Sequence, residues 1–140
     1  MQKLTKRTLS LVFPALLLMA APAFATDVRV TDSGGSEVLV KEVSIDYGGL
    51  LGSDKETEGV RVSQGEALVT AKWLDIQSIA ITGRDAAASR MTVEIILKDG
   101  KKVGATLLRK GRMKLVGRSD LGDYSIDLEK VRKITTVSVK

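Results

Sequence analysis

Carboxylates are concentrated in the stretch SDLGDYSIDLE at 119–129, which holds Asp120, Asp123, Asp127 and Glu129. Two carboxylates at a suitable separation can cleave a glycosidic bond, and several together can bind calcium. Their spacing does not match the calcium loop of an EF-hand. Most of them alternate with apolar residues, which is the period of a strand, so we expect them to face solvent. We therefore predict neither a catalytic nor a metal site here, with a hydrolase using Asp120, Asp123 or Asp127 as a weaker hypothesis.

The chain contains no His and no Cys. The usual nucleophile–base pairs, thiolate chemistry, and ligation of zinc or haem by these side chains are therefore excluded. General acid–base catalysis would fall to carboxylates, Lys or Tyr. We predict a protein that is not an enzyme and that uses no cofactor.

Basic residues cluster in RKGRMK and shortly after it, at Arg109, Lys110, Arg112, Lys114 and Arg118. Such a patch could contact phosphate or an acidic polymer. Charged residues are also common at hairpin tips and at sheet edges, where they discourage aggregation. Binding of an anionic envelope polymer, a polysaccharide or a lipid head group, is therefore an alternative function.

Residues 48–59, GGLLGSDKETEG, form the longest polar and glycine-rich stretch and predict a mobile loop. Leu50 and Leu51 within it are candidates for a partner site, because loops carried on rigid sheets often bind. The alternative is that these leucines fold onto the core. Tyr47, beside the loop, is the aromatic residue most expected to be exposed.

Residues 1–25 have the pattern of a secretory signal peptide. Lys3, Lys6 and Arg7 precede an apolar run that is too short for a membrane span, and AFA at 23–25 suits a signal peptidase. Cleavage would leave residues 26–140 and lower the net charge from +5 to about +2. We expect a periplasmic or secreted protein with no membrane-spanning segment after cleavage.

Alternation of apolar residues and turn signals predict ten strands in the mature chain. The predicted strands are 27–31, 37–46, 59–63, 67–73, 77–82, 91–98, 101–108, 113–117, 123–128 and 132–139. The second strand should contain a bulge or a switch of its apolar face near Lys41. Turn residues in DSGGS, QGE, KDG and SDLGD separate neighbouring strands.

A similar pattern appears twice, in ALVTAKWLDIQSIAI and in DYSIDLEKVRKITTV. Apolar residues first lie two apart, as in a strand, so Ala67, Val69, Ala71 and Trp73 should face inward. They then lie three apart, which is the period of a single 3₁₀ turn. Six side chains are predicted to be buried around these turns: Trp73, Ile76, Ile79, Leu128, Val131 and Ile134. The pattern indicates an internal repeat of residues 27–83 and 91–139.

Five strands with one 3₁₀ turn before the last are the pattern of VEIILKDGKKVGATLL and MKLVGRSDLGDYSIDLEKVRKI. Residues 91–139, and more faintly 37–82, resemble small Sm-like five-stranded β-barrel modules. The resemblance implies a barrel or a strongly bent sheet and implies no activity. The predicted fold is all-β, a small barrel or sandwich built from two similar five-stranded halves. RNA binding is not expected, because the mature chain has nearly balanced charge.

These features predict a binding or adaptor module of the cell envelope with a protein partner and no nucleic acid. Addition of a partner strand requires only backbone groups and so suits a chain with few reactive side chains. The strand 132–139 is the candidate edge, because ITTVSVK has high β propensity and little charge. The sequence leaves the oligomeric state open.

Overall fold

The computed structural model describes residues 26–49, 53–85, 90–108 and 113–137. The predicted signal peptide, residues 1–25, lies outside the described residues. The strands are β1 (Val28–Asp32), β2 (Glu37–Asp46), β3 (Lys55–Glu56), β4 (Gly59–Gln64), β5 (Ala67–Lys72), β6 (Ile76–Asp85), β7 (Arg90–Leu97), β8 (Lys102–Leu108), β9 (Lys114–Ser119), β10 (Gly122–Asp127) and β11 (Val131–Thr136). The all-β prediction is confirmed, and each predicted strand overlaps an observed one. The short strand β3 was not predicted.

All pairings between strands are antiparallel, and the strands form one curled sheet shaped like half a barrel. The order is β10-β9-β2-β1-β11-β6-β7-β8-β4-β5, with β3 attached to β2. Strands from the first and second parts of the chain therefore alternate along a single sheet. Among the described strands, β5 and β10 stand at the ends of this order.

The prediction that the strand 132–139 forms an edge is wrong. Its observed counterpart, β11, lies between β1 and β6 and pairs with both. High β propensity and low charge are also the properties of a central strand, which pairs with a neighbouring strand on each edge. These properties therefore could not distinguish a central strand from an edge strand.

Both predicted 3₁₀ turns are present, at Trp73–Asp75 and Leu128–Lys130. The two turns are attached in the same way, because the N–H of Trp73 donates to the carbonyl of Glu58 at 2.9 Å and the N–H of Leu128 donates to that of Met113 at 2.9 Å. The side chains predicted to be buried around them are all buried: Trp73, Ile76, Ile79, Leu128, Val131 and Ile134. This part of the core is confirmed.

The predicted inward face of β5 is only partly buried. Trp73 is buried and Ala71 is half-buried, but Ala67 and Val69 are exposed. Alternation correctly placed these side chains on one face of the strand. However, β5 stands at the end of the sheet and has no described strand on its outer side. The error lies in the position of the strand in the sheet and not in its secondary structure.

The bulge expected near Lys41 is confirmed. The pairing of β2 with β9 shifts register between Lys41 and Ser44, and Glu42 has a φ of 55°. A bulge bends the strand and increases its local twist. It therefore contributes to the curl of the sheet where β2 passes from β1 to β9.

Candidate docking edge and apolar cleft

Within the described part of the chain, strand β5 has no partner strand along one side. Its described pairing is with β4 alone, from Gly59–Lys72 to Gln64–Ala67. The N–H of Trp73 donates to the carbonyl of Glu58, the residue directly before β4, so Glu58 and Trp73 form a hydrogen-bonded pair. Hydrogen-bonded and non-hydrogen-bonded pairs alternate along an antiparallel ladder. The backbone N–H and C=O groups of Leu68, Thr70 and Lys72 therefore point away from β4, where an added strand could pair with them.

Apolar side chains are unusually exposed along this strand and the turn after it. The exposed fractions of Leu68, Leu74 and Val69 are 70%, 68% and 39%. Lys72 is the sole charged residue between 67 and 74. Natural edge strands are usually protected by charge, by proline or by a bulge. We call the segment 67–74 the open edge.

The other end of the sheet carries the charged residues that the open edge lacks. The same alternation, set by the N–H of Leu128, points the backbone groups of Asp123, Ser125 and Asp127 away from β9. Two of these three residues carry carboxylates, and Glu129 follows in the 3₁₀ turn. An edge with this charge pattern resists pairing with another strand. The two ends of the sheet therefore differ in their chemistry.

An apolar cleft of about 570 Å³ lies between the open edge and the β7–β8 hairpin. Its wall is formed largely by Val62, Val69, Ala71, Ile76, Ile95, Leu97, Val103 and Ala105. Lys72, Asp75, Lys98 and Asp99 also line it and supply balanced charge. Thr70 and Lys72 of β5 belong to the lining, so the cleft extends to the open edge. The backbone bond from Lys98 N–H to the Asp75 carbonyl, at 2.9 Å, joins its two sides.

A second group of side chains attaches the segment before β4 to the sheet. The Tyr47 hydroxyl accepts a bond of 2.8 Å from the Arg61 backbone N–H, and the Arg61 guanidinium lies 4.5 Å from the centre of the Tyr47 ring. Arg61 also forms ion pairs with Asp54 at 2.9 Å and Glu56 at 3.5 Å. Burial raises the pKa of Tyr47 despite the bond from Arg61, and the bond to Asp54 raises that of Arg61. We interpret this cluster as structural, because it holds the segment before β4 against the sheet.

Three of the sequence-predicted binding residues lie within the described part of the chain. Tyr47 is half-buried at the end of β2, and its hydroxyl is already bonded. Lys114 and Arg118 lie in β9, and Arg118 approaches Glu42 at 3.9 Å across a largely exposed surface. The other candidates fall outside the described residues: Leu50, Leu51, Arg109, Lys110 and Arg112. Because most of both candidate sets lies outside the described residues, these binding sites stay predictions.

The carboxylates singled out in the sequence lie at the β9–β10 hairpin and its edge. Asp120 and Asp123 are exposed and Asp127 is half-buried. In the described residues, no group of three or more acidic side chains is arranged to hold a metal ion. Their arrangement is that of a charged sheet edge.

The open edge was not predicted, although the sequence contains a signal for it. Residues 67–74 carry one charge, whereas 122–129 carry three carboxylates in a strand followed by the same type of turn. A comparison of charge between the two similar patterns would have identified the first as the less protected strand.

No described helix is long and apolar enough to cross a membrane. No family model, curated protein or solved structure matches this chain.

Proposed function

We propose that this protein is an exported, non-catalytic binding module that captures an extended segment of a partner protein as an added strand on β5. Residues 1–25 would direct export, and the mature chain would act in the periplasm or after secretion. The observation that carries the proposal is the open edge, where unpaired backbone groups lie beside exposed apolar side chains and one charge. Backbone hydrogen bonds would supply affinity and alternate side chains would supply specificity.

The composition supports binding over catalysis. The chain has no His or Cys to act as a nucleophile or base near neutral pH. Its acidic cluster lies along a charged edge, and the hydroxyl of Tyr47 accepts a structural hydrogen bond. Strand addition needs none of these groups, because the partner is recognised through main-chain atoms.

An internal repeat accounts for the presence of two ends with the same design. The β4–β5 and β9–β10 hairpins correspond at a constant offset of 55 residues, so that the pair Gly59–Lys72 matches the pair Lys114–Asp127. We infer that residues 27–83 and 91–139 are two copies of one five-stranded unit. Each copy would give its second hairpin to the other, because β4 pairs with β8 and β9 pairs with β2.

Further correspondences support the repeat. The β1–β2 and β7–β8 turns contain Gly35 and Gly100 at φ values of 94° and 93°. At the centre of the sheet, β11 pairs with β6 through Ile134 and Ile79, residues that occupy matching positions at the same offset of 55. In this interpretation a common ancestral hairpin evolved one protected edge and one open edge.

The proposal is tested with a defined peptide. The probe is a fluorescent strand of about nine residues with alternating Thr and Val, a length typical of strands. We expect the mature protein to bind this peptide in fluorescence anisotropy. The double variant Leu68→Asp/Leu74→Glu places carboxylates at the positions that match Asp123 and Glu129 of the β10 edge. It should bind the peptide at least about tenfold more weakly. Leu121→Asp is the matched control, since Leu121 is a fully exposed leucine at the β9–β10 turn. Equal affinity of the double variant and the wild type would refute the proposal.

A further inference from the structure

Two residues of β5 that line the apolar cleft have larger counterparts on β10, at the other end of the sheet. At the offset of 55 residues, Val69 and Ala71 of β5 correspond to Tyr124 and Ile126 of β10. Tyr124 and Ile126 are half-buried and pack against the core. Burial, and to a smaller extent the negative charge of Asp32, raises the pKa of Tyr124.

The smaller residues on β5 leave space in the apolar cleft. Val69 stands in place of the aromatic ring of Tyr124, and Ala71 in place of the branched side chain of Ile126. The cleft that Val69 and Ala71 line has a volume of about 570 Å³. That volume lies in the range of pockets that accept drug-sized ligands. The wall is largely apolar, so an aromatic ring would gain burial against its aliphatic side chains.

Geometry relates the cleft to a strand added on β5. A residue of that strand lying across from Val69 or Ala71 would face the cleft, because paired residues in a sheet share a face. A residue lying across from Thr70 or Lys72 would face outward. The added strand would therefore present alternate side chains to two different surfaces.

Charge indicates which outward residues fit. Lys72 is the single charged side chain of the open edge, and opposite charges in cross-strand pairs are favourable. The charges around the cleft are balanced between Lys72, Lys98, Asp75 and Asp99. Because these charges cancel, the cleft has no net positive potential that would attract a polyanion. A single acidic residue, in contrast, could pair with Lys72.

We infer that the cleft receives an aromatic side chain from the added strand, with an acidic residue of the same strand lying across from Lys72. The partner is thus an extended peptide segment with an aromatic residue on its inner face and a carboxylate on its outer face. This inference rests on the proposed function and specifies its ligand.

The test compares the Thr/Val peptide with a version that carries one central Phe on its inner face. We expect the Phe peptide to bind about tenfold more tightly to the wild type. The double variant Val69→Tyr/Ala71→Ile, which copies β10 and fills the cleft, should bind the Phe peptide and the Thr/Val peptide with equal affinity. A preference of about tenfold for Phe that persists in this variant would overturn the aromatic site. Its folding is verified by the thermal unfolding midpoint, and Ala71→Ile alone provides a milder second variant.

Charge is tested with a Phe peptide that carries Glu on its outer face and a matched peptide that carries Gln. Lys72→Glu should weaken binding of the Glu peptide about tenfold more than binding of the Gln peptide. Equal weakening of both peptides, or of neither, would overturn the charge assignment.

Other results separate the inference from the proposed function. If the Thr/Val peptide binds at β5 and Phe adds nothing, the aromatic site is wrong and strand addition survives. If neither peptide binds, both are wrong. Concentration-dependent dimerisation that Val69→Tyr/Ala71→Ile abolishes would assign the cleft to a second copy of the chain and overturn the inference.

Discussion

Gly59 of β4 packs closely against the backbone of β5, the strand that forms the open edge. A Cβ added there would lie 2.7 Å from the carbonyl carbon of Ala71 and 2.8 Å from the Cα of Lys72, and closer still to the carbonyl oxygen of Ala71. Its φ is not in the left-handed region, so the constraint is steric. The atoms it would meet are backbone atoms of β5 and cannot rotate away. Gly59→Ala must therefore displace β5 from β4.

The expected cost follows from this geometry. Overpacking a well-packed site usually costs about 1–3 kcal/mol, and we expect about 3 kcal/mol because the obstructing atoms belong to a hydrogen-bonded ladder. A domain of this size has a total stability of about 5–15 kcal/mol, so the loss is a large fraction of it. We expect the thermal midpoint to fall by roughly 10 °C.

Urea unfolding followed by the fluorescence of Trp73 measures this cost directly, since Trp73 is the only tryptophan and is buried beside β5. The control is Gly104→Ala, because a Cβ on Gly104 of β8 meets no atom within 4 Å. Alanine there should stabilise the protein by about 0.5 kcal/mol, since glycine in a strand has a larger conformational entropy when unfolded. A Gly59→Ala midpoint equal to that of Gly104→Ala would refute the close packing of β5 on β4.

Three further predictions follow from the described contacts. Burial raises the pKa of Tyr47 above its ordinary value of 10.0, so the unfolded chain ionises first and stability falls as pH rises past about 10. Tyr47→Phe should reduce this alkaline loss in pH-dependent urea unfolding, while costing about 1–2 kcal/mol at pH 7 because the Arg61 N–H loses its acceptor. Ile79→Ala and Ile134→Ala should each lose about 2–5 kcal/mol in chemical denaturation, because both side chains are buried and pair across the centre of the sheet. Arg118→Ala should leave peptide binding unchanged in fluorescence anisotropy. The anionic-polymer function would be favoured instead if the protein bound dextran sulfate at low salt and released it at about 0.5 M salt. In that case Arg118→Ala should also weaken the binding of dextran sulfate.

Local patterns were sufficient to predict the secondary structure and much of the core. The spacing of Trp73, Ile76 and Ile79 changes from two to three at the first 3₁₀ turn, and the structure buries all three side chains. The same is true of the second turn. These features depend on residues close in sequence, so a period in the sequence reports them.

The order of strands depends on contacts distant in sequence, and here the prediction failed. Strand β11 has the composition of an exposed edge but is covered by β1 on one side and β6 on the other. Strand β5 has an apolar inner face that predicted burial, yet Val69 remains exposed. Composition describes what a strand can pair with, and only the fold determines whether a neighbour is present.

The candidate site was hidden for the same reason. Sequence analysis favoured Tyr47 as an exposed aromatic, whereas burial and the bond from Arg61 make it part of the scaffold. The cleft itself is formed by β4, β5, β7 and β8, whose residues are far apart in the chain. No short motif marks such a site, because its character comes from the small side chains of Val69 and Ala71, which line a cleft between distant strands.

Amide hydrogen exchange along β5 tests the central claim most directly. The ladder alternation predicts that the N–H groups of Leu68, Thr70 and Lys72 exchange quickly in the free protein, while those of Val69 and Ala71 are protected by bonds to β4. A saturating Thr/Val peptide with one Phe should slow exchange at the first three residues and leave the other two unchanged. Protection of all five in the free monomer, or no slowing when the peptide is bound, would contradict the assignment of β5 as the docking edge.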